Sequence, residues 1–376
     1  MEIYKGLASP MLDRLDSETS HVIVREALHF AETFPGGLKI IEQFAYKRKR
    51  FLDPKLRVQV CGIEFDNPLV MGAGWDKEGR AVKGLWRLGV AGVEAGGVPE
   101  YPQEGNPRPR QFVVAPGVII QRLGFNSSGM NKVARNLSRY ERCGIPIGIQ
   151  VTENRDVASS DTPEDHAKAC VAVTQKMYHI ASWFTLGLSS PNTPGMRRLQ
   201  GKRWLAPIVS AVFGAMEDMG GRKPLFVKIA PDLTWEELDE VIEVASAYRA
   251  GIVASNTTTN PDIKAKYGER WRYERGGLSG DDSDFRAMST RQIAYICRAT
   301  GNGLPVMGAG GIKDTPTALE KIMAGALPLQ IVSAIRGEGL TVFGRINRGI
   351  VEFMDREGVK SLKELVGVEA NIHSVA

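Results

Sequence analysis

Short apolar runs, most of them closing on Gly, Ser, Asn or another small polar residue, recur along this chain. They are NPLVMGAG (67–74), GVAGVEAGG (89–97), PIGIQV (146–151), WFTLGLSS (183–190), PLFVKIAPD (224–232), AGIVASN (250–256), PVMGAGG (305–311) and PLQIVSA (328–334), eight in all. Continuous apolar character of this kind predicts strands covered on both faces. Between most of them the apolar positions change to a helical period. In 234–249, Thr234 is placed to cap a helix with Glu237 at the capping-box position, and 315–326 is again opened by Thr and Pro.

Alternating strands and helices fit a closed (β/α)8 barrel or a doubly wound open sheet. The count of eight favours the barrel. So does the spread of glycines and polar residues over nearly all strand ends, where barrel enzymes keep their chemistry; an open sheet would gather them at one switch point. Two stretches exceed a minimal barrel: 99–122, with PQEGNPRPR and a hairpin pattern, and the polar insertion 257–284. Each follows the end of a strand and is expected to roof the site.

The predicted domains are an N-terminal helical extension over 1–56 and the barrel over 57–376. In the extension, Asp16 can cap a helix that places Ile23, Ala27, Phe30, Ala31 and Phe34 on one face. Gly36 and Gly37 break it. A second apolar stretch (Leu38, Ile40, Ile41, Phe44, Ala45) runs into Lys47-Arg48-Lys49-Arg50. This fits a helical hairpin packed on the barrel with a solvated basic end. It fits equally an interfacial element whose apolar face enters lipid while the basic run meets anionic headgroups.

Composition changes this picture little. With 43% hydrophobic and 24% charged residues the chain is ordinary globular material. A formal charge of +5 suits an anionic substrate or cofactor and, spread over this length, gives no nucleic-acid footprint. Cys61, Cys143, Cys170 and Cys297 are scattered without metal-ligand spacing, so buried thiols are expected rather than disulfides or zinc. No signal peptide is evident, and the expected location is cytoplasmic, with peripheral contact on the inner face of the cell membrane left open.

The candidate chemistry lies at the strand ends. GAGG (308–311) lets backbone N–H groups approach an anion where barrels bind phosphate, and GGLSG (276–280) could add to it. Lys228 sits inside an apolar strand and Lys77 follows the first strand. A buried ammonium needs a partner: either a carboxylate such as Asp232 or the electron-rich edge of a flavin. GLSSPNTPG (187–195) offers Ser190 as a proton acceptor helped by Thr193 or water. No Ser-His-Asp arrangement accompanies it. Asn256 can read the N–H and C=O edges of a planar ring.

GAGWDKEG, PQEGNPRPR, RLGFNSSG, LSSPNTPG, VKIAPDLT, SNTT, RGGLSG and GAGGI stand in the order and spacing of the dihydroorotate dehydrogenases, which this chain resembles over about residues 57–335. LDSETSH before an amphipathic helix, and serine as candidate base, resemble the quinone-using, membrane-associated class. The resemblance implies FMN, oxidation of dihydroorotate to orotate in pyrimidine biosynthesis, and a quinone entering between the N-terminal helices. It implies that Ser190 takes the C5 proton while hydride leaves C6, with Thr193 aiding the proton's exit. Lys77 would touch flavin and substrate carboxylate. Gln121, Phe125, Asn192 and Asn256 would surround the pyrimidine. Ala73, Gly74, Gly96, Gln150, Lys228, Ser255, Gly277, Gly310, Gly311, Val332 and Ser333 would hold the cofactor.

Some residues depart from the family's pattern. Asn is usual where this chain has Gln121, Gln150 and Gly187, and Gly-Lys where it has Thr152-Glu153. Ser255 replaces a Thr, Val332 a Tyr, and Val113 stands where an Arg of the quinone tunnel is often found; His21 matches a quinone-site histidine. A site built around hydrogen bonds discriminates strongly when they change. The alternatives are therefore a diverged paralogue acting on a different cyclic or unsaturated substrate, and a binding protein that has kept the fold.

Overall fold

The computed structural model describes residues 15–46, 50–193 and 195–373. Lys47-Arg48-Lys49 of the basic run, Pro194 and the side chain of Phe44 lie outside the described residues. Among the described residues the first elements are two helices, α1 (Ser17–Thr33) and α2 (Gly37–Tyr46), and a small antiparallel hairpin, β1 (Val58–Val60) and β2 (Ile63–Phe65). Asp16 caps α1 by accepting from the Thr19 amide at 3.0 Å. Gly37 opens α2 rather than merely breaking α1: a Cβ there would stand 2.2 Å from the Ala31 carbonyl oxygen.

Eight parallel strands then close a barrel: β3 (Leu69–Met71), β4 (Gly92–Val98), β7 (Ile147–Val151), β8 (Trp183–Leu186), β9 (Leu225–Lys228), β10 (Gly251–Ala254), β12 (Val306–Ala309) and β13 (Leu329–Ile331), which pairs back on β3. All eight apolar runs of the sequence are the barrel strands, and closure leaves none of them an edge. The lower barrel is tightly filled. Trp183 is fully buried edge-on to Phe65, with ring centres 5.8 Å apart. A Cβ on Gly148 would lie 2.1 Å from the Trp183 ring, so the indole requires glycine on the neighbouring strand.

Helices cover the barrel: α3 (Val82–Leu88), α4 (Gly129–Leu137), α5 (Pro163–Met177), α6 (Lys202–Asp218), α7 (Trp235–Tyr248), the short α8 (Pro261–Ala265), α9 (Ser283–Ala299), α10 (Thr315–Ala324), α11 (Ala334–Glu338) and α12 (Val342–Glu357). Thr234 and Glu237 form the expected capping box on α7. For α10 the expectation needs correction: the cap is Asp314, whose carboxylate accepts from Thr317, and Thr315 and Pro316 are already helical.

The two insertions meet. β5 (Gln111–Ala115) and β6 (Val118–Gln121) come from the first, and β11 (Gly277–Gly280) from the second; together they make a three-stranded antiparallel sheet with Gln121 opposite Gly277. GGLSG is therefore a roof strand rather than a phosphate loop. Its glycines serve close approach: a Cβ on Gly277 would meet Thr257 Oγ1 at 1.9 Å, and one on Gly280 the Gly117 carbonyl oxygen at 1.9 Å.

Of the four thiols, Cys170 and Cys297 are buried as expected, whereas Cys143 is half-buried and Cys61 exposed in the β1–β2 turn; all four are free. Arg50, the described member of the basic run, is not a solvated end. It is buried, donating to the Val90 carbonyl at 2.9 Å and Asp66 at 3.1 Å, and it stacks on Trp86. Among the described residues no helix is long and apolar enough to cross a membrane.

Candidate active site

The upper ends of β3, β9, β10, β12 and β13 surround a cavity. Ala73, Gly74, Lys228, Ser255, Asn256, Gly310, Gly311, Val332 and Ser333 line it, as the sequence implied. The roof contributes Gln111, Ile119, Gln121 and Ser279, and α1 closes the outer end with Ser17, Ser20 and His21. Barrel, roof and N-terminal helix thus share one space. Outside the strands, the backbone amides of Gly310, Gly311 and Ser333 donate to no other residue described, which leaves them for a ligand.

Lys228 does not pair with Asp232, which instead accepts from Arg197 at 2.8 Å. The Lys228 ammonium lies 3.4 Å from Gln330 Oε1. Gln330 is held in that orientation because its Nε2 donates to Glu94 Oε2 at 3.0 Å, a carboxylate oxygen that also accepts from Trp183 and Thr185. Burial lowers the Lys228 pKa, with Glu94 opposing the shift. A buried cation with an amide as its direct partner retains capacity for an anion, or for the electron-rich edge of a ring.

Lys77 borders a second cavity of about 1720 Å³, with Asn126, Arg25, Arg110 and Arg139 around it. It donates to Asn126 Oδ1. Burial, reinforced by the charge of Arg110, brings its pKa down to about 7, so a bound anion would draw a proton onto it near neutrality. Asn192 lies on a further cavity of about 1220 Å³ whose rim carries Arg108, Arg122, Arg155 and Arg275. The Asn192 side chain donates to Gln121 Oε1 at 3.2 Å while its own Oδ1 is buried without a partner.

Ser190 is buried in the loop after β8, and its Oγ accepts from the Asn192 amide at 3.2 Å. Thr193 is buried close by, and no hydrogen bond joins the two hydroxyls. Asn256 reaches the same loop, donating to the Ser189 carbonyl at 3.2 Å and Ser189 Oγ at 3.1 Å. Phe125 packs on the β4 end, where a Cβ on Gly97 would come within 2.6 Å of its ring. Gly96 and Gln150 face each other across β4 and β7, and neither they nor Gly277 line the Lys228 cavity.

At the outer end of that cavity, His21 Nε2 sits 2.7 Å from the Trp75 carbonyl oxygen. Burial lowers its pKa to about 4, so the ring is neutral, Nε2–H donates, and Nδ1 is left as an acceptor. Val113 is exposed and does not border the cavity; Gln111 and Arg336 do, held by Ser17 at 2.7 Å and Ser20 at 2.8 Å. Sequence reasoning missed Asn126, Gln330 and Glu94. Asn126 stood in RLGFNSSG, and Glu94 and Gln330 are polar residues inside apolar strands, the same signal that singled out Lys228.

A flavin fits these residues. The amides left open at Gly310, Gly311 and Ser333 suit a phosphate, Lys228 suits a ring edge that gains charge, and Thr257 Oγ1 is buried with no partner. The family model described as dihydroorotate dehydrogenase matches residues 55–354. A protein of Rhizobium johnstonii described as dihydroorotate dehydrogenase (quinone) is 41% identical over 96% of this chain and 95% of its own length. One of Natronomonas pharaonis with the same description is 35% identical over 98% of this chain and all of its own (100%). Among solved structures, the Eimeria tenella enzyme in complex with ferulenol superposes with a TM-score of 0.83 at 26% identity, covering 94% of this chain and 96% of that one.

Proposed function

The chain belongs to the dihydroorotate dehydrogenase family, in its quinone-dependent branch, and from that premise we infer that it oxidises dihydroorotate to orotate for pyrimidine biosynthesis, with a quinone as acceptor. The observation that carries the detailed reading is continuity. One cavity runs from Lys228 and the open amides of the β12 and β13 loops to His21 on α1, so electrons taken up at the barrel can leave at the helical pair.

FMN is the flavin of this reading; when bound, it accepts hydride from the substrate and passes electrons on. Gly310, Gly311 and Ser333 would hold its phosphate through backbone N–H groups, and Lys228 would face the ring. Ala73, Gly74, Ser255 and Val332, which line the same cavity, complete its surroundings. Ser190 removes the C5 proton, and water accessible past Thr193 carries it away. Lys77, its charge restored by the anion, holds the substrate carboxylate, and Gln121, Asn192 and Asn256 bind the ring edges beside Phe125. The four arginines on the Asn192 rim favour arrival of an anionic substrate.

Residues 1–56 act as the quinone element and 57–376 as the catalytic barrel. Ile23 is 45% exposed, Phe30 66% and Ile40 49%, which supports peripheral contact of the helical pair with lipid. The test is direct. Purified protein should be yellow, bleach with dihydroorotate in the absence of oxygen, and recolour when a short-chain quinone is added. A yellow protein that stays oxidised with dihydroorotate, yet bleaches with another cyclic substrate, would establish the paralogue instead.

A further inference from the structure

We propose that Gln150 and Gly187 form one specificity unit: the Gln150 carboxamide takes the place of a side chain on residue 187 and reads the N–H and C=O edge of the bound pyrimidine. This rests on the dihydroorotate reading above. β7 and β8 run parallel with Gln150 opposite Thr185, so Gly187 follows two residues further along, at the mouth. A Cβ on Gly187 would stand 3.0 Å from Gln150 Cγ and 3.1 Å from Gln150 Cδ. The volume that residue 187 would fill is already occupied by the end of the Gln150 side chain.

That side chain has no structural duty that accounts for it. Gln150 is 6% exposed, and its carboxamide hydrogen-bonds to none of the described residues. With the residue largely enclosed and its carboxamide engaged by no other side chain or backbone group, both polar ends of that amide are open to a ligand. The substrate is a better match than the cofactor. Gln150 and Gly187 line neither the Lys228 cavity nor those beside Lys77 and Asn192, but Gly187 lies three positions before Ser190 in the same strand end and loop. The two departures from the family's asparagines then explain each other. One strand has lengthened its amide by a methylene, the next has lost its side chain, and an amide still stands at the mouth.

A double-mutant cycle on the flavin-loaded protein tests this, reading orotate Kd from the change in flavin absorbance, with flavin content measured alongside. Q150A should weaken orotate roughly 10- to 100-fold, the loss of one or two hydrogen bonds in a buried site, while flavin content stays at the wild-type level. G187N should weaken it comparably, because the new side chain meets Gln150 Cγ and Cδ as well as the Val151 carbonyl oxygen at 3.0 Å, a contact the flanking backbone must absorb in either variant. Q150N/G187N should recover to within a few-fold of wild type. If G187N alone does not fold, Q150A and the double variant still decide. Orotate binding by Q150A equal to wild type, additive losses in the double variant, or loss of flavin rather than of orotate each overturn the assignment alone. A wild-type protein that binds no orotate overturns the proposed function along with it.

Discussion

On the barrel strands, Val70, Val93, Ile149, Phe184 and Phe226 are fully buried, while Ile23 and Phe30 on α1 and Phe34 at its C-cap are exposed, and the buried residues of α1 are Ser17, Glu18, Ser20 and Leu28. The barrel is held by burial, which is non-directional and hard to undo piecemeal. The helical pair shares that core through Leu28, Ile41 and Ala45, keeps an outer apolar face exposed, and adds named polar contacts. Glu18 accepts from Arg110 at 2.6 and 3.0 Å and from Arg108 at 3.1 Å. Glu32 accepts from the Gly84 amide at 2.7 Å, and Tyr46 donates to the Leu88 carbonyl at 2.7 Å. An apolar face left exposed while polar contacts help hold the other side is what a lipid-facing element needs.

The largest expected effect separates chemistry from docking. S190A should lower dihydroorotate oxidation by roughly 10²- to 10⁴-fold, the usual worth of a positioned general base, with thermal unfolding and orotate binding near wild type. Turnover within a few-fold of wild type would remove Ser190 from the proposed mechanism. Next comes E18A, which leaves the Arg110 guanidinium buried without its carboxylate at a cost of about 3–5 kcal/mol. That cost should fall on the docking of α1 and not on the barrel. Bleaching by dihydroorotate should therefore persist while reoxidation by quinone slows. Loss of both half-reactions together would mean that the pair and the barrel are a single unit.

A smaller effect concerns lipid. F30E/F34E changes two exposed side chains, so stability should move by no more than about 0.5 kcal/mol. Sedimentation with anionic vesicles should nevertheless fall, and the remainder should be sensitive to salt because of Lys47, Arg48 and Lys49. Equal recovery of variant and wild type with the vesicles would return this face to ordinary exposed surface.

The same contrast explains what the sequence could and could not tell. The eight barrel strands were legible because continuous apolar runs have one physical outcome, burial on both faces. Lys228 was legible because a cation in such a run must have a purpose. The period located Ile23, Ala27, Phe30, Ala31 and Phe34 on one face, but a period names a face and not its partner: Ala31 packs on the core while Ile23, Phe30 and Phe34 are exposed. Four of the residues that dock the helix, Glu18, His21, Arg110 and Trp75, come from three separate segments, and only the fold brings them together. The roof was foreseen as two separate insertions, and its joining through the pairing of Gln121 with Gly277 depends on contacts far apart in sequence. Gly187 looked like a lost amide until its neighbour across the strand was seen to fill the space.

The finest test of the contrast is pH. His21 has its pKa lowered by burial from 6.5 to about 4, so a released helix binds a proton that the docked helix excludes. Its contribution to docking is complete above pH 6.5 and is lost as the pH falls from there towards 4, by up to roughly tenfold in the docking equilibrium per unit. Glu18 acts in the same direction lower down. Burial opposes its ionisation, but the hydrogen bond and charge of Arg110 hold its pKa below 4.5, and its contribution disappears as the pH falls through that lowered value. Hydrogen–deuterium exchange over residues 17–46, corrected for intrinsic rate, should therefore rise on going from pH 7.5 to 4.5 while the barrel strands stay protected. H21Q keeps a donor for the Trp75 carbonyl but cannot titrate, and should flatten the change above pH 4.5. Equal steepness in H21Q and wild type would show that acid acts on the pair through some group other than His21.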